Sequence, residues 1–110
     1  MVSYKLRFMF DHGGFCVWGM NEDAQARFGY AIPNNALPIT DSLLTELDVL
    51  EHEYGTYLDW EYPPNPSPWS KNQKVTFLHR ATKAYKRLQE ELGSDFIVSN
   101  ELDLSVSLND

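Results

Sequence analysis

The chain has 110 residues, of which 9 are Lys or Arg and 16 are Asp or Glu, so its formal net charge is −7. This length, with 43% hydrophobic residues, is typical of one domain over residues 1–110 and argues against disorder along the whole chain. The acidic balance disfavours nucleic acid and membrane surfaces as partners, because both are polyanionic. The chain has one cysteine, no signal-peptide core and no apolar run of membrane length, so we expect a cytoplasmic protein.

Residues 3–18 are predicted to form a β-hairpin. Residues 3–10 alternate apolar with charged side chains, which is the two-residue period of a half-buried strand. An Asp, a His and two Gly residues at 11–14 favour a turn, and residues 15–18 return as a second strand.

A short helix and a loop are predicted next. Asn21 is placed to cap a helix over residues 22–28, with two acidic residues in its first turn, and Gly29 ends it. Residues 30–38 hold two prolines and two asparagines, which favour a loop.

Two longer helices follow. Thr40 is a suitable N-cap for a helix over residues 41–54, whose apolar positions at spacings of 4, 3 and 4 share one face. These positions are Leu43, Leu47, Leu50 and Tyr54. Ser70 and Gln73 form a capping box that opens a helix over residues 71–92. Its predicted buried positions are Val75, Leu78, Ala81, Tyr85, Leu88 and Leu92.

Residues 96–98 and 102–108 are predicted as strands, the second from its alternating leucines and valine. The order of elements is then β-β-α-α-α-β. We predict an α+β fold with a small antiparallel sheet of three to four strands, covered on one face by two main helices.

Charge is unevenly distributed along the chain. Residues 41–61 hold seven acidic side chains and no Lys or Arg, whereas residues 71–87 hold six basic side chains and no acid. The acidic block is suited to a basic cleft on a protein partner, where complementary charge speeds and orients association. Two alternatives stay open, since such a block can also be a solvated face or can pair with the basic helix.

Aromatic residues flank a proline-rich segment. Trp60, Tyr62 and Trp69 surround four prolines between residues 63 and 68, which stiffen the loop. Trp and Tyr are frequent interface anchors, so we predict a partner-facing ridge. The alternative is that these rings stack on the prolines and close the core.

Metal binding and catalysis are not expected. His12 and Cys16 are the one close pair of soft or imidazole ligands, which is too few for a zinc site. Cys16 with His12 and Asp11 would resemble a nucleophile, a base and an orienting acid. Cys16 lies within a predicted strand, however, where a buried thiol behaves as a small hydrophobe. We therefore expect no cofactor and no enzyme activity.

Several segments carry a resemblance to a known group of proteins. They are FMFDHGGFCVWG, FGY, LPIT, LDWEYPPNPSPWS and ELGSDF, together spanning about residues 4–98. The chain resembles short bacterial proteins associated with immunity proteins of secreted toxin systems. The resemblance implies a toxin-neutralising role and brings no catalytic motif.

The predicted function is therefore inhibition of a basic toxin domain, such as a nuclease, through an acidic and aromatic surface. The residues predicted to bind the partner are Asp41, Glu46, Asp48, Glu51, Glu53, Asp59, Trp60, Glu61, Tyr62 and Trp69. The alternative is a non-catalytic interaction module or a homodimeric adaptor that uses the proline-aromatic loop.

Overall fold

A computed structural model describes residues 3–11, 14–57, 61 and 67–106 of the chain. The strands in this part are β1 (Tyr4–Phe8), β2 (Val17–Gly19), β3 (Ala31–Ile32) and β4 (Phe96–Asn100). The helices are α1 (Glu22–Phe28), α2 (Asp41–Tyr54) and α3 (Lys71–Leu92). The predicted α+β class and the order β-β-α-α-α-β are confirmed, with the two-residue β3 and a 3-10 turn (Asn34–Ala36) added inside the predicted loop.

The sheet is mixed, with the strand order β3-β2-β1-β4. The predicted hairpin is confirmed, because β1 and β2 pair antiparallel, and β3 continues this arrangement. The prediction of a wholly antiparallel sheet was wrong, since β4 pairs parallel with β1. Parallel neighbours need a long connection, and here the chain returns to the sheet through α3.

The core lies between one face of the sheet and helices α2 and α3. All four predicted positions of α2 are buried, with Leu43, Leu47 and Leu50 fully covered. Thr40 caps α2 as predicted, because its Oγ1 accepts a hydrogen bond from the Leu43 N–H. The start of α2 is also tied to the end of α3, since the Glu91 carboxylate accepts hydrogen bonds from the Thr40 N–H at 2.7 Å and hydroxyl at 3.0 Å.

Helix α3 begins at the predicted capping box, in which Ser70 and Gln73 bond each other's backbone. Its buried face differs from the prediction at its first turns, where Val75 is 47% exposed and Lys74 is 4% exposed. Counting back in steps of 4 and 3 residues from the buried Ala81 gives Phe77 and Lys74. The helical phase set by the core therefore places position 74 inward despite its charge.

The end of the described chain is a 3-10 turn (Leu102–Leu104) and not the predicted strand. The contacts of Ser105 explain why this segment is not a strand. The Ser105 side chain is buried, and its Oγ accepts a hydrogen bond from the Phe10 N–H at 2.7 Å. Its carbonyl accepts another from the Tyr54 hydroxyl at 2.6 Å. These bonds hold the segment against the core, where an extended strand would lose them. The last residues of the predicted strand lie outside the described part.

Candidate partner-binding site

The acidic residues of α2 lie on two different flanks of the helix. Glu46 and Glu53 are seven residues apart, so they share the flank that faces α3, where Arg80 lies 3.8 Å and 2.6 Å from their carboxylates. Asp48 and Glu51, three residues apart, share the opposite flank. The predicted acidic block is therefore divided by the helical period, and two of its seven members pair with the basic helix.

The second flank faces the 3-10 turn that begins at Asn34, whose side chain is only 5% exposed. Its Nδ2 donates to Asp48 Oδ1 at 2.9 Å and to Glu51 Oε1 at 3.0 Å. Within residues 3–11, 14–57, 61 and 67–106, no Lys or Arg forms an ion pair with either carboxylate. Two negative charges thus share one neutral amide.

Burial raises the pKa of Glu51 above its ordinary value. Hydrogen bonds from Cys16 and Asn34 oppose this rise, and the nearby charge of Asp48 adds to it. The charge of Asp48 therefore disfavours the charged form of Glu51, and an added positive charge would relieve this repulsion. This flank of α2 therefore favours the binding of a positively charged group.

Cys16 lies directly behind this pair and is fully buried, as predicted, although it precedes β2 and is not within the strand as expected. Its Sγ lies 3.5 Å from Asn34 Oδ1. Burial, and then the charge of Glu51, raise the pKa of the Cys16 thiol well above its usual value. This is the reverse of the depression that activates a nucleophilic thiolate. His12, the other member of the considered pair, lies outside the described residues.

A cleft of about 450 Å³ opens over the two carboxylates. Phe15, Pro33 and Leu44 contribute its apolar walls, and Asp48 and Glu51 supply the charge. A long basic side chain has the matching form, with an apolar stem and a charged head. The carboxylates can accept charge-assisted hydrogen bonds from such a head.

A second groove of about 500 Å³ continues this surface along the outer side of α2. Thr45, Val49, His52 and Glu53 line it, and Val49 is 45% exposed. Asp48 lines both the cleft and this groove. The two depressions therefore form one surface that combines acidic and apolar groups.

The other predicted binding residues are differently placed. Asp41, at the start of α2, and Glu61 are exposed, while Asp59, Trp60 and Tyr62 lie outside the described residues. Trp69 is only 7% exposed, packs its ring 5.1 Å from that of Phe77, and donates from Nε1 to Thr56 Oγ1 at 2.7 Å. Its position matches the alternative in which this ring closes the core, and corrects its prediction as an exposed anchor.

Sequence reasoning did not identify Asn34, Phe15 or Leu44 as members of the site. Asn34 is one of two adjacent asparagines in a loop-like segment, and nothing local distinguishes the buried one. The spacing of Asp48 and Glu51 was the available signal, because residues three apart on a helix face the same way. In the described part of the chain, no group of three or more His, Cys, Asp or Glu is arranged to hold a metal ion.

Comparison with known protein families relates the chain to a family of immunity proteins. The profile of a Serratia CdiI immunity protein-like family matches residues 4–101. The chain belongs to this family. The match to the CdiI-like family runs from β1 beyond β4, so it includes α2 and the acidic cleft. No curated protein matches the chain. In the described residues, no helix is long and apolar enough to cross a membrane.

Proposed function

We propose that this CdiI-like protein neutralises a cognate toxin by binding its toxic domain in the cytoplasm. The family name supports the toxin-neutralising role. The observation that carries the choice of surface is the pair Asp48 and Glu51, which face a cleft with one shared amide and no basic partner from the described chain. A basic side chain of the toxin is the group that this cleft suits best.

The proposed contact is a Lys or Arg of the toxin inserted between Phe15 and Leu44, with its charge against the two carboxylates. Binding would replace the repulsion between Asp48 and Glu51 by attraction to a common cation. The carboxylates are already held in place by Asn34, so little side-chain freedom remains to be lost on binding. Asp41 and Glu61 extend the negative field toward the two ends of this region and would guide the encounter.

The toxic domain is proposed to be a basic nuclease. A groove that binds nucleic acid is lined with Lys and Arg, and carboxylates on a rigid helix can occupy the positions of its phosphates. Asp59, Trp60 and Tyr62 remain proposed contacts in the adjoining segment. Glu46 and Glu53 are assigned a smaller share, because Arg80 already neutralises part of their charge.

The test is a binding measurement with a candidate cognate toxin domain, taken from a gene that neighbours the gene of this protein and encodes a secreted toxin. We compare the double variant Asp48→Asn, Glu51→Gln with Asp41→Asn, Glu46→Gln, which removes the same charge from two positions of α2 that line neither the cleft nor the groove. The first should weaken binding by about 30-fold or more, since loss of a desolvated charge contact costs about 2 kcal/mol or more. The control should change chiefly the association rate and its salt dependence.

Two results would contradict the proposal in different ways. If the unaltered protein does not bind or inhibit the neighbouring toxin, the neutralising role is wrong. If it binds and the two double variants lose equal affinity, the role stands and the cleft is not the contact.

A further inference from the structure

Among the strands of the described residues, β4 lies at one edge of the sheet, so its pairing with β1 uses one of its two sides. Alternate residues of a strand direct their backbone groups to opposite sides. The flanking bonds fix which residues face β1, since the Asp95 carbonyl accepts from the Tyr4 N–H and the Glu101 N–H donates to the Phe8 carbonyl. Phe96 and Val98 consequently direct their backbone groups away from the sheet.

Side chains of α3 bond three of these outward groups, and the fourth, the Phe96 N–H, donates to the Gly93 carbonyl. The Gln89 Nε2 donates to the Phe96 carbonyl at 2.7 Å, and the Val98 N–H donates to Gln89 Oε1 at 2.9 Å. One primary amide thus makes the donor and acceptor contacts that a peptide group of a further strand would make. The Tyr85 hydroxyl donates to the Val98 carbonyl at 2.9 Å.

The sequence of β4 shows why this edge needs protection. Its residues, FIVSN, include no charge and no proline, which are the usual features that keep an edge strand from pairing with another chain. Ile97 adds an apolar side chain that is 54% exposed. Without the α3 side chains, this edge would offer free hydrogen-bonding groups beside an apolar surface.

We infer that Gln89, assisted by Tyr85, closes the β4 edge and prevents a β4 strand of a second copy from pairing with it. The chain itself favours this occupant, because two identical β4 edges related by a twofold axis can pair with each other. The inference is independent of toxin binding. It assigns Gln89 a role in keeping the protein from self-association, in addition to stability.

The test is the variant Gln89→Met, which keeps the length of the side chain and removes both hydrogen bonds to β4. It also removes the bond from Gln89 Nε2 to the Gly93 carbonyl at the end of α3. The matched control is Glu90→Met, since Glu90 is the next residue of the same helix and is exposed. Sedimentation over a range of concentrations reports association, and amide hydrogen exchange reports protection of the Val98 N–H. In the Gln89→Met variant, the Val98 amide hydrogen should exchange at least about 10-fold faster than in the unaltered protein and the control. The variant should also self-associate more strongly than both.

A second variant locates the new contact. Adding Ile97→Lys to Gln89→Met should restore the sedimentation of the unaltered protein, because a charge on an edge strand opposes pairing. The inference is overturned if Gln89→Met matches the control in either measurement. It is also overturned if the association persists with Ile97→Lys, since the contact would then lie elsewhere.

Discussion

The side chain of Asn34 joins the loop before α2 to the helix itself, with its Nδ2 2.9 Å from the Oδ1 of Asp48. The same nitrogen donates to Glu51, so Asn34→Ala would leave two close carboxylates without their shared donor. We expect the free energy of unfolding to fall by about 1–3 kcal/mol. Urea denaturation followed by tryptophan fluorescence measures this, with the exposed Asn35→Ala as control. Equal stability of the two variants would mean that the bridge contributes nothing.

Glu51 should give the stability a characteristic dependence on pH. Because burial raises its folded pKa, the folded protein binds this proton more tightly than the unfolded chain does. Its contribution to the free energy of unfolding therefore falls as the pH rises from the ordinary glutamate pKa through the raised one.

The Glu51→Gln variant lacks this titration and should not show that fall. The stability of the unaltered protein relative to Glu51→Gln should thus be greater near pH 4.5 than at pH 7. Urea titrations at several pH values check this, with Glu22→Gln on the exposed side of α1 as a control for the charge change. A stability difference that stays constant with pH would exclude a raised pKa.

Gly19 should not tolerate even one added methyl group. A Cβ at this position would lie 2.6 Å from the carbonyl oxygen of Gly29, and a backbone atom cannot swing away as a side chain can. We expect Gly19→Ala to lower the free energy of unfolding by about 1–3 kcal/mol, the usual cost of overpacking. Thermal unfolding compared with Ser99→Ala, an exposed change in β4, tests this. An unchanged melting temperature would show that β2 and α1 can separate at no cost.

Trp69 should matter for stability and not for binding. Replacement with Phe removes the hydrogen bond to Thr56 and part of the packing against Phe77, at a cost of about 1–3 kcal/mol. The affinity for the toxin should stay unchanged at a temperature where Trp69→Phe is fully folded. A large loss of affinity with unchanged stability would restore Trp69 as an interface anchor.

Local signals in the sequence were sufficient for the helix bounds and the β1–β2 hairpin and insufficient for the rest of the sheet. Thr40 and the pair Ser70 and Gln73 mark the helix starts because capping acts between residues three apart. The parallel pairing of β1 with β4 joins residues more than 90 positions apart, such as Tyr4 and Phe96, and no local pattern encodes it. The alternation of apolar and polar residues from position 102 also could not distinguish a strand from the 3-10 turn that precedes Ser105.

The candidate site was predictable in its charge and not in its shape. The acidic run on α2 is visible in the sequence, yet Arg80 partly neutralises two of its members while Asp48 and Glu51 face another element. That division depends on which side of α2 the rest of the molecule occupies. The buried amide of Asn34 depends in the same way on the tertiary fold.

The pairing of β1 with β4 also makes one side of β1 depend on a distant part of the chain. Tyr4–Phe8 and Phe96–Asn100 are neighbours in the sheet although more than 90 positions separate the paired residues. Contacts at such a separation form slowly relative to local folding, because a long loop must close first. We therefore expect the β1–β2 hairpin to form before β4 docks, so that the sheet is completed late in folding.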